Sequence, residues 1–259
     1  MNLSELPNGF ATEGHPLSAP SKVLIAYGLI MLTALLVTFV YSLGDERTIR
    51  EVGIWVKPMK FMAATALFAI TTVWVIKISH SNIDHTKVFL KIAVLILLTS
   101  FFEVAYISFQ AARGEPSHYN NNDTLHKIMF MLMGLAAVGL VSSQAWLAWE
   151  MRKELSPNGL SPVSLSVIVG LTLTFALSIC SGFLLGGQQP PAGQGLPMLG
   201  WHLFKDIRPA HFLGVHAQQL LPLLGLAAEK FIPEHSVMAI ILGSILYTLT
   251  WLSLTWLSY

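Results

Sequence analysis

Apolar stretches of roughly bilayer length alternate with short polar segments along the whole chain. Crossing the hydrocarbon core takes roughly 20 mainly apolar residues. On that measure spans are predicted at about residues 23–43, 54–76, 88–112, 125–149, 162–185, 209–228 and 237–259. Residues 1–21 read as a polar tail without the basic start and apolar run of a cleavable signal. Residues 22–259 read as one all-α domain, an integral membrane bundle of about seven transmembrane helices.

Local punctuation supports these bounds. Asp123 or Thr124 can cap the fourth helix, and Gly186-Gly187 should break the fifth. Pro209 suits the first turn of the sixth, and Pro222 inside it predicts a kink. Trp146 and Trp149 fit an aromatic belt at a membrane surface. The segment from Trp201 to Arg208 is expected along the interface. Gly134, Ala137 and Gly170 are small enough to let helices approach closely.

Composition sharpens the class. Hydrophobic residues make up 54% of the chain and charged residues 11%, where a soluble domain carries about a quarter charged. A lipid bilayer is therefore the first partner. The net charge of +1 leaves no nucleic-acid footprint. Cys180 is the single cysteine and cannot form an internal disulfide. Oligomeric state is not legible.

Seven spans put the termini on opposite sides. Loops one, three and five then share one face, termed here the odd-loop face. Basic residues divide almost evenly between the faces, so the positive-inside rule hardly discriminates. The odd-loop charges are mixed with acids, histidines and prolines, as in a site, whereas those opposite resemble plain flanking charge. The expectation is therefore a cytoplasmic N-terminus and a periplasmic C-terminus.

The odd-loop half holds the candidate chemistry. Glu103, Tyr106 and Gln110 recur at three- and four-residue steps and share a helix face. Arg208-Pro-Ala-His211 and Val-His216-Ala-Gln218-Gln219 carry polar groups into the sixth span. Ionisable groups at membrane depth are costly and mark functional sites by default. Lys57 and Lys60 open the second span, and His118, His126 and His202 lie in or near odd loops. The loop from Gln110 to Thr124 could fold over the cavity as a lid carrying Arg113 and His118.

The pieces Trp55-Val-Lys57-Pro-Met-Lys60-Phe61, Gln110-Ala-Ala-Arg113-Gly-Glu-Pro-Ser117-His118-Tyr-Asn120 and Arg208-Pro-Ala-His211-Phe-Leu-Gly-Val-His216-Ala-Gln218 resemble a functionally uncharacterised family of bacterial multi-pass membrane proteins. That resemblance covers spans two to six and implies a bacterial inner membrane. It implies no mechanism.

Three function classes follow. A bound transition metal or haem is the leading expectation, because imidazole is the commonest metal ligand and an axial ligand of haem. Its first candidates are His211, His216, His118 and Glu103. His211 and His216 are five apart and diverge by about 140° around a helix, so each needs different partners. Lys57, Lys60 and Arg208 would line the rim and favour an anionic group, such as a haem propionate, a small molecule or a lipid headgroup. The second class is a proton- or ion-coupled transporter centred on Glu103, although no internal repeat is visible. The third is a structural or assembly subunit whose polar groups hold helices together.

Overall fold

The computed structural model describes residues 16–154, 161–193, 195–196, 200–202 and 204–259, so most of the expected N-terminal tail lies outside the described residues. The protein is an all-α bundle with α1 (Ala19–Ser42), α2 (Val56–Ile78), α3 (Lys87–Arg113), α4 (Thr124–Lys153) and α5 (Pro162–Gly187). It continues with α6 (Arg208–Val215), α7 (Ala217–Phe231) and α8 (Ser236–Trp256). Six helices, α1 to α5 and α8, are each long and apolar enough to cross a membrane. This is a multi-pass membrane protein.

The sixth expected span differs from its prediction. It is two helices, α6 and α7, divided at His216 rather than bent only at Pro222. The His216 backbone leaves helical geometry, at φ −94° and ψ 7°. The groups released by the break find side chains on neighbouring helices. Gln218 N–H donates to Thr174 Oγ1 on α5 at 2.8 Å, and the Leu213 carbonyl accepts from the Tyr247 hydroxyl on α8. Gly186-Gly187 does not end α5 early, because that helix runs through Gly187.

Helix α5 packs antiparallel against both halves of the broken span. Ser166 faces Gly225, Gly170 faces Ala217, Leu221 and Pro222, and Ser178 faces Gly214. Ser181 meets His211 one turn further on. Small residues every three or four positions on α5 thus meet glycines or polar residues on α6 and α7. A side chain at Gly225 would overlap the Ser166 hydroxyl, and a Cβ at Gly214 would lie 3.1 Å from α5 backbone atoms. Close approach of this kind suits lipid, where helix association depends on packing and hydrogen bonds rather than on the hydrophobic effect. Of the small residues singled out in the sequence, Gly170 serves this purpose. Gly134 meets nothing within 4 Å, and Ala137 is exposed.

The main apolar core runs through α1 to α5, with Leu24, Ala69, Val73, Ile76, Phe89, Ile92, Ile96, Leu147, Val167 and Leu171 buried. On the even-loop face, a buried carboxylate ties three segments together. Asp84 is 1% exposed and sits in a short 3-10 turn between α2 and α3. It accepts from the Ser18 hydroxyl at 2.6 Å and the Ser21 hydroxyl at 2.5 Å, at the start of α1. It also pairs with Lys77 Nζ at 2.8 Å.

Burial alone would raise the Asp84 carboxyl, but the hydrogen bonds from Lys77, Ser18 and Ser21 outweigh it and hold it at about 2, below its usual 3.8. A depressed folded-state value means stabilisation that is complete above the unfolded value and lost as pH falls towards about 2. We expect Asp84→Asn to cost about 2 kcal/mol at neutral pH. The difference in detergent unfolding between parent and variant should shrink as the buffer is taken below pH 4. A difference independent of pH would show that Asp84 acts only through packing.

Candidate functional site

Three interlocked loops cover the odd-loop end of the bundle. Loop one forms a small hairpin, β1 (Thr48–Ile49) with β2 (Val52–Gly53). Its Arg47 donates to the Ala112 carbonyl at 3.0 Å, and its Arg50 donates to the Pro190 carbonyl at 2.6 Å. Loop three starts at Gly114, whose φ of 74° is the left-handed conformation that stops α3. It ends at Asp123, whose carboxylate caps α4 through His126 N–H at 2.9 Å. Within that loop the Tyr119 hydroxyl donates to the Leu185 carbonyl near the end of α5. The loop is thus fastened across the bundle.

Glu103 lies beneath these loops. It is 7% exposed and, at a rise of roughly 1.5 Å per residue, about 15 Å below the end of α3. That is about half the depth of a hydrocarbon core of roughly 30 Å. Lys57, in the first turn of α2, is the cation whose field reaches this carboxylate. Among the described residues Glu103 has no ion pair within 4 Å. Tyr106 and Gln110 continue the stripe, with Gln110 Nε2 donating to the Tyr106 hydroxyl at 3.1 Å.

Lys57 also reaches His118 in the lid. The His118 ring packs between Phe61 and Phe130, at centroid separations of 6.3 and 5.6 Å, and its Nδ1 lies 3.2 Å from the Ser117 hydroxyl. Burial, with help from the Lys57 charge, holds its imidazole well below the usual value of 6.5. His118 is therefore neutral at pH 7. Acidification must charge a buried ring, so the packing of loop three loses stability as pH falls.

The other predicted residues divide between the bundle end and the surface. Arg208 clasps Asp206 through three close contacts, the shortest 2.6 Å. Burial of Asp206 is outweighed by the bonds from Arg208 and from His202 N–H, which keep its carboxyl below its usual value. Lys60 lies over the Trp201 ring at 5.8 Å and senses both Arg208 and Asp206. Arg113 does not face inward. It is exposed and pairs with Glu115 at 3.0 Å. His126 likewise bridges Asp123 at 2.7 Å and Glu115 at 3.1 Å at the surface.

His211 and His216 are held by different neighbours. The Ser181 hydroxyl already donates to the Leu177 carbonyl at 2.7 Å, so at 3.0 Å it accepts from His211 Nδ1. His216 Nδ1 lies 3.2 Å from Gln219 Oε1, and Gln219 Nε2 donates to Thr71 on α2 at 3.1 Å. An amide oxygen only accepts, so His216 Nδ1 carries a proton. In both rings Nε2 is left as the bare nitrogen.

The four expected donors do not form one metal group. Among the described residues no three His, Cys, Asp or Glu side chains come together to hold a metal ion. His211 and His216 belong to the α5–α6–α7 seam, while Glu103 and His118 meet through Lys57 on the α2–α3 side. The reason is topological, since Glu103 stands on a helix that does not pack against the broken span. Missed by the sequence reading were Asp206, whose role shows only once Arg208 folds back on it, and Thr71, Thr174 and Ser181. The step of four from Ser166 through Gly170 and Thr174 to Ser178 was the available signal for that seam.

No family model, no curated protein and no solved structure matches this chain. Its functional reading therefore stands on geometry.

The lid makes a direct prediction. Burial pushes the Tyr119 phenol up to about 12, so it remains a hydrogen-bond donor across the working pH range. Tyr119→Phe removes the tie to α5 while keeping the ring against Phe130. Loop three should then become several-fold more susceptible to limited proteolysis in detergent, with unfolding temperature nearly unchanged. Equal susceptibility would mean that the loop is held elsewhere.

Proposed function

We propose that this protein is a proton-coupled carrier of a small anion, working in a bacterial inner membrane with the odd-loop face outward. The observation that carries the reading is Glu103, buried at mid-depth without an ion pair among the described residues, in the field of Lys57 and beneath a latched loop. A lone ammonium is costly in a low-dielectric interior and needs one counter-charge. Ionised Glu103 supplies it in the resting state. When Glu103 takes a proton, Lys57 loses that counter-charge and an anion replaces it. When the anion leaves, Glu103 releases its proton and pairs again. One proton and one negative charge thus occupy the site together, and the cycle is electroneutral.

The surroundings suit these roles. Arg208 is neutralised by Asp206, so it shapes the entrance rather than competing for the anion. His118 is neutral and sits in the field of Lys57, so it can close over an anion without adding charge. The break at His216 divides a span beside this region, as discontinuous helices do in many secondary transporters.

Proteoliposomes containing a pH-sensitive dye test this directly. Inorganic phosphate, sulfate and lactate would be added outside in turn. At least one should drive proton uptake, and Glu103→Gln should reduce that uptake at least tenfold. The same variant should still bind the active anion, now independently of pH, whereas Lys57→Gln should not bind it. Undiminished proton uptake in Glu103→Gln would overturn the proposal.

A second reading is favoured by the two bare Nε2 atoms. Ligating histidines commonly donate their other ring N–H to a fixed partner, as His211 and His216 do. A haem, or a metal completed by an added ligand, could be held there. A visible absorption band in the purified protein that disappears in both His211→Ala and His216→Ala would support it. A colourless, metal-free protein would remove it.

A further inference from the structure

Gln218 is 0% exposed, and neither heteroatom of its carboxamide has a hydrogen-bond partner among the described residues. The Ser178 hydroxyl, 3% exposed, is in the same condition. These two side chains belong to one stretch of the seam between α5 and the broken span. Gln218 N–H is anchored on Thr174, one helical turn from Ser178. Ser178 backbone lies against Gly214, one turn from Gln218. Gln218 N–H and the Leu213 carbonyl are satisfied by protein, whereas the Gln218 carboxamide and the Ser178 hydroxyl, on facing stretches of the seam, are not.

We propose that an internal water molecule is bound here, bridging the Gln218 carboxamide to the Ser178 hydroxyl at the break between α6 and α7. Buried polar groups are nearly always paired, and an unpaired one in a folded protein points to water or an ion. The chemistry selects between these. A monovalent cation would take only oxygens and leave Gln218 Nε2 without an acceptor. No acidic residue occurs in α5, and the acid of α7, Glu229, lies in its final turn. Water both donates and accepts, and it needs two to four polar partners. The carboxamide nitrogen, the carboxamide oxygen and the hydroxyl provide them.

The water gives the break an exchangeable element. On its other sides α6 is held by the Tyr247 hydroxyl on the Leu213 carbonyl and by Ser181 on His211. At Gln218 the side-chain contact across the seam runs through a molecule that can rearrange without breaking a protein–protein bond. The inference rests on the seam alone and does not depend on the carrier reading.

A density map of the full chain at a resolution that shows ordered waters tests it first. A peak within about 2.7–3.2 Å of the Gln218 carboxamide and the Ser178 hydroxyl is expected. A dry seam, with the amide turned onto a protein group, would overturn the proposal. The solution test is a double-mutant cycle on unfolding temperature. Gln218→Met and Ser178→Ala should each lower it by about 3 °C, and the double variant by little more than either alone. A rise in either single variant, as expected when a truly unpaired group is removed, would overturn the proposal, as would additivity. If Gln218→Met fails to fold, the sign of the Ser178→Ala shift still decides.

Discussion

The absence of water from the bilayer core governs this fold, because each buried backbone or side-chain polar group must find its partner within the protein. That constraint is most visible where α5 meets α6 and α7. A span broken at His216 would expose backbone groups to lipid. Instead Thr174 and Tyr247 take up the released N–H and carbonyl, and glycines at 214 and 225 bring α5 close enough to do so. Break and seam therefore explain each other. Without Gly225 the helices could not approach, and without the approach the break would be too costly to keep.

The same constraint organises the two ends of the bundle differently. On the even-loop face Asp84 is fully engaged by hydroxyls of α1 and by Lys77 of α2. All of its capacity is spent on holding three segments together, which is a structural role. On the odd-loop side, among the described residues, Glu103 has only the field of Lys57 to offset its burial. An acid with one cation and no hydrogen-bond shell is poorly explained as glue. It is well suited to exchanging a proton against a bound negative charge.

Spans were legible because length and apolar continuity decide them, and helix starts followed from local cues such as Asp123 and Pro209. The division at His216 was not legible. Nothing in Val215-His216-Ala217 resembles a break, and its cause is a set of hydroxyls far away on α5 and α8. The site was partly legible for the same reason. Glu103 and Lys57 stood out as charges within apolar runs, and their shared face of the bundle followed from span counting. Pairwise contacts did not follow from counting. Arg113 was a natural lid residue, yet Glu115, two positions on, draws it to the surface. His211 and Glu103 lie on the same half of the protein but on helices that do not pack extensively against each other, which dissolved the expected metal group.

The proposed cycle requires Glu103 to exchange a proton inside the membrane. Infrared difference spectroscopy of the purified protein, recorded as pH is changed, tests this most directly. A protonated-carboxyl band is expected that rises and falls with pH, is absent from Glu103→Gln, and shifts in Lys57→Gln. A spectrum with no pH-dependent band from Glu103, or one indifferent to Lys57, would contradict it.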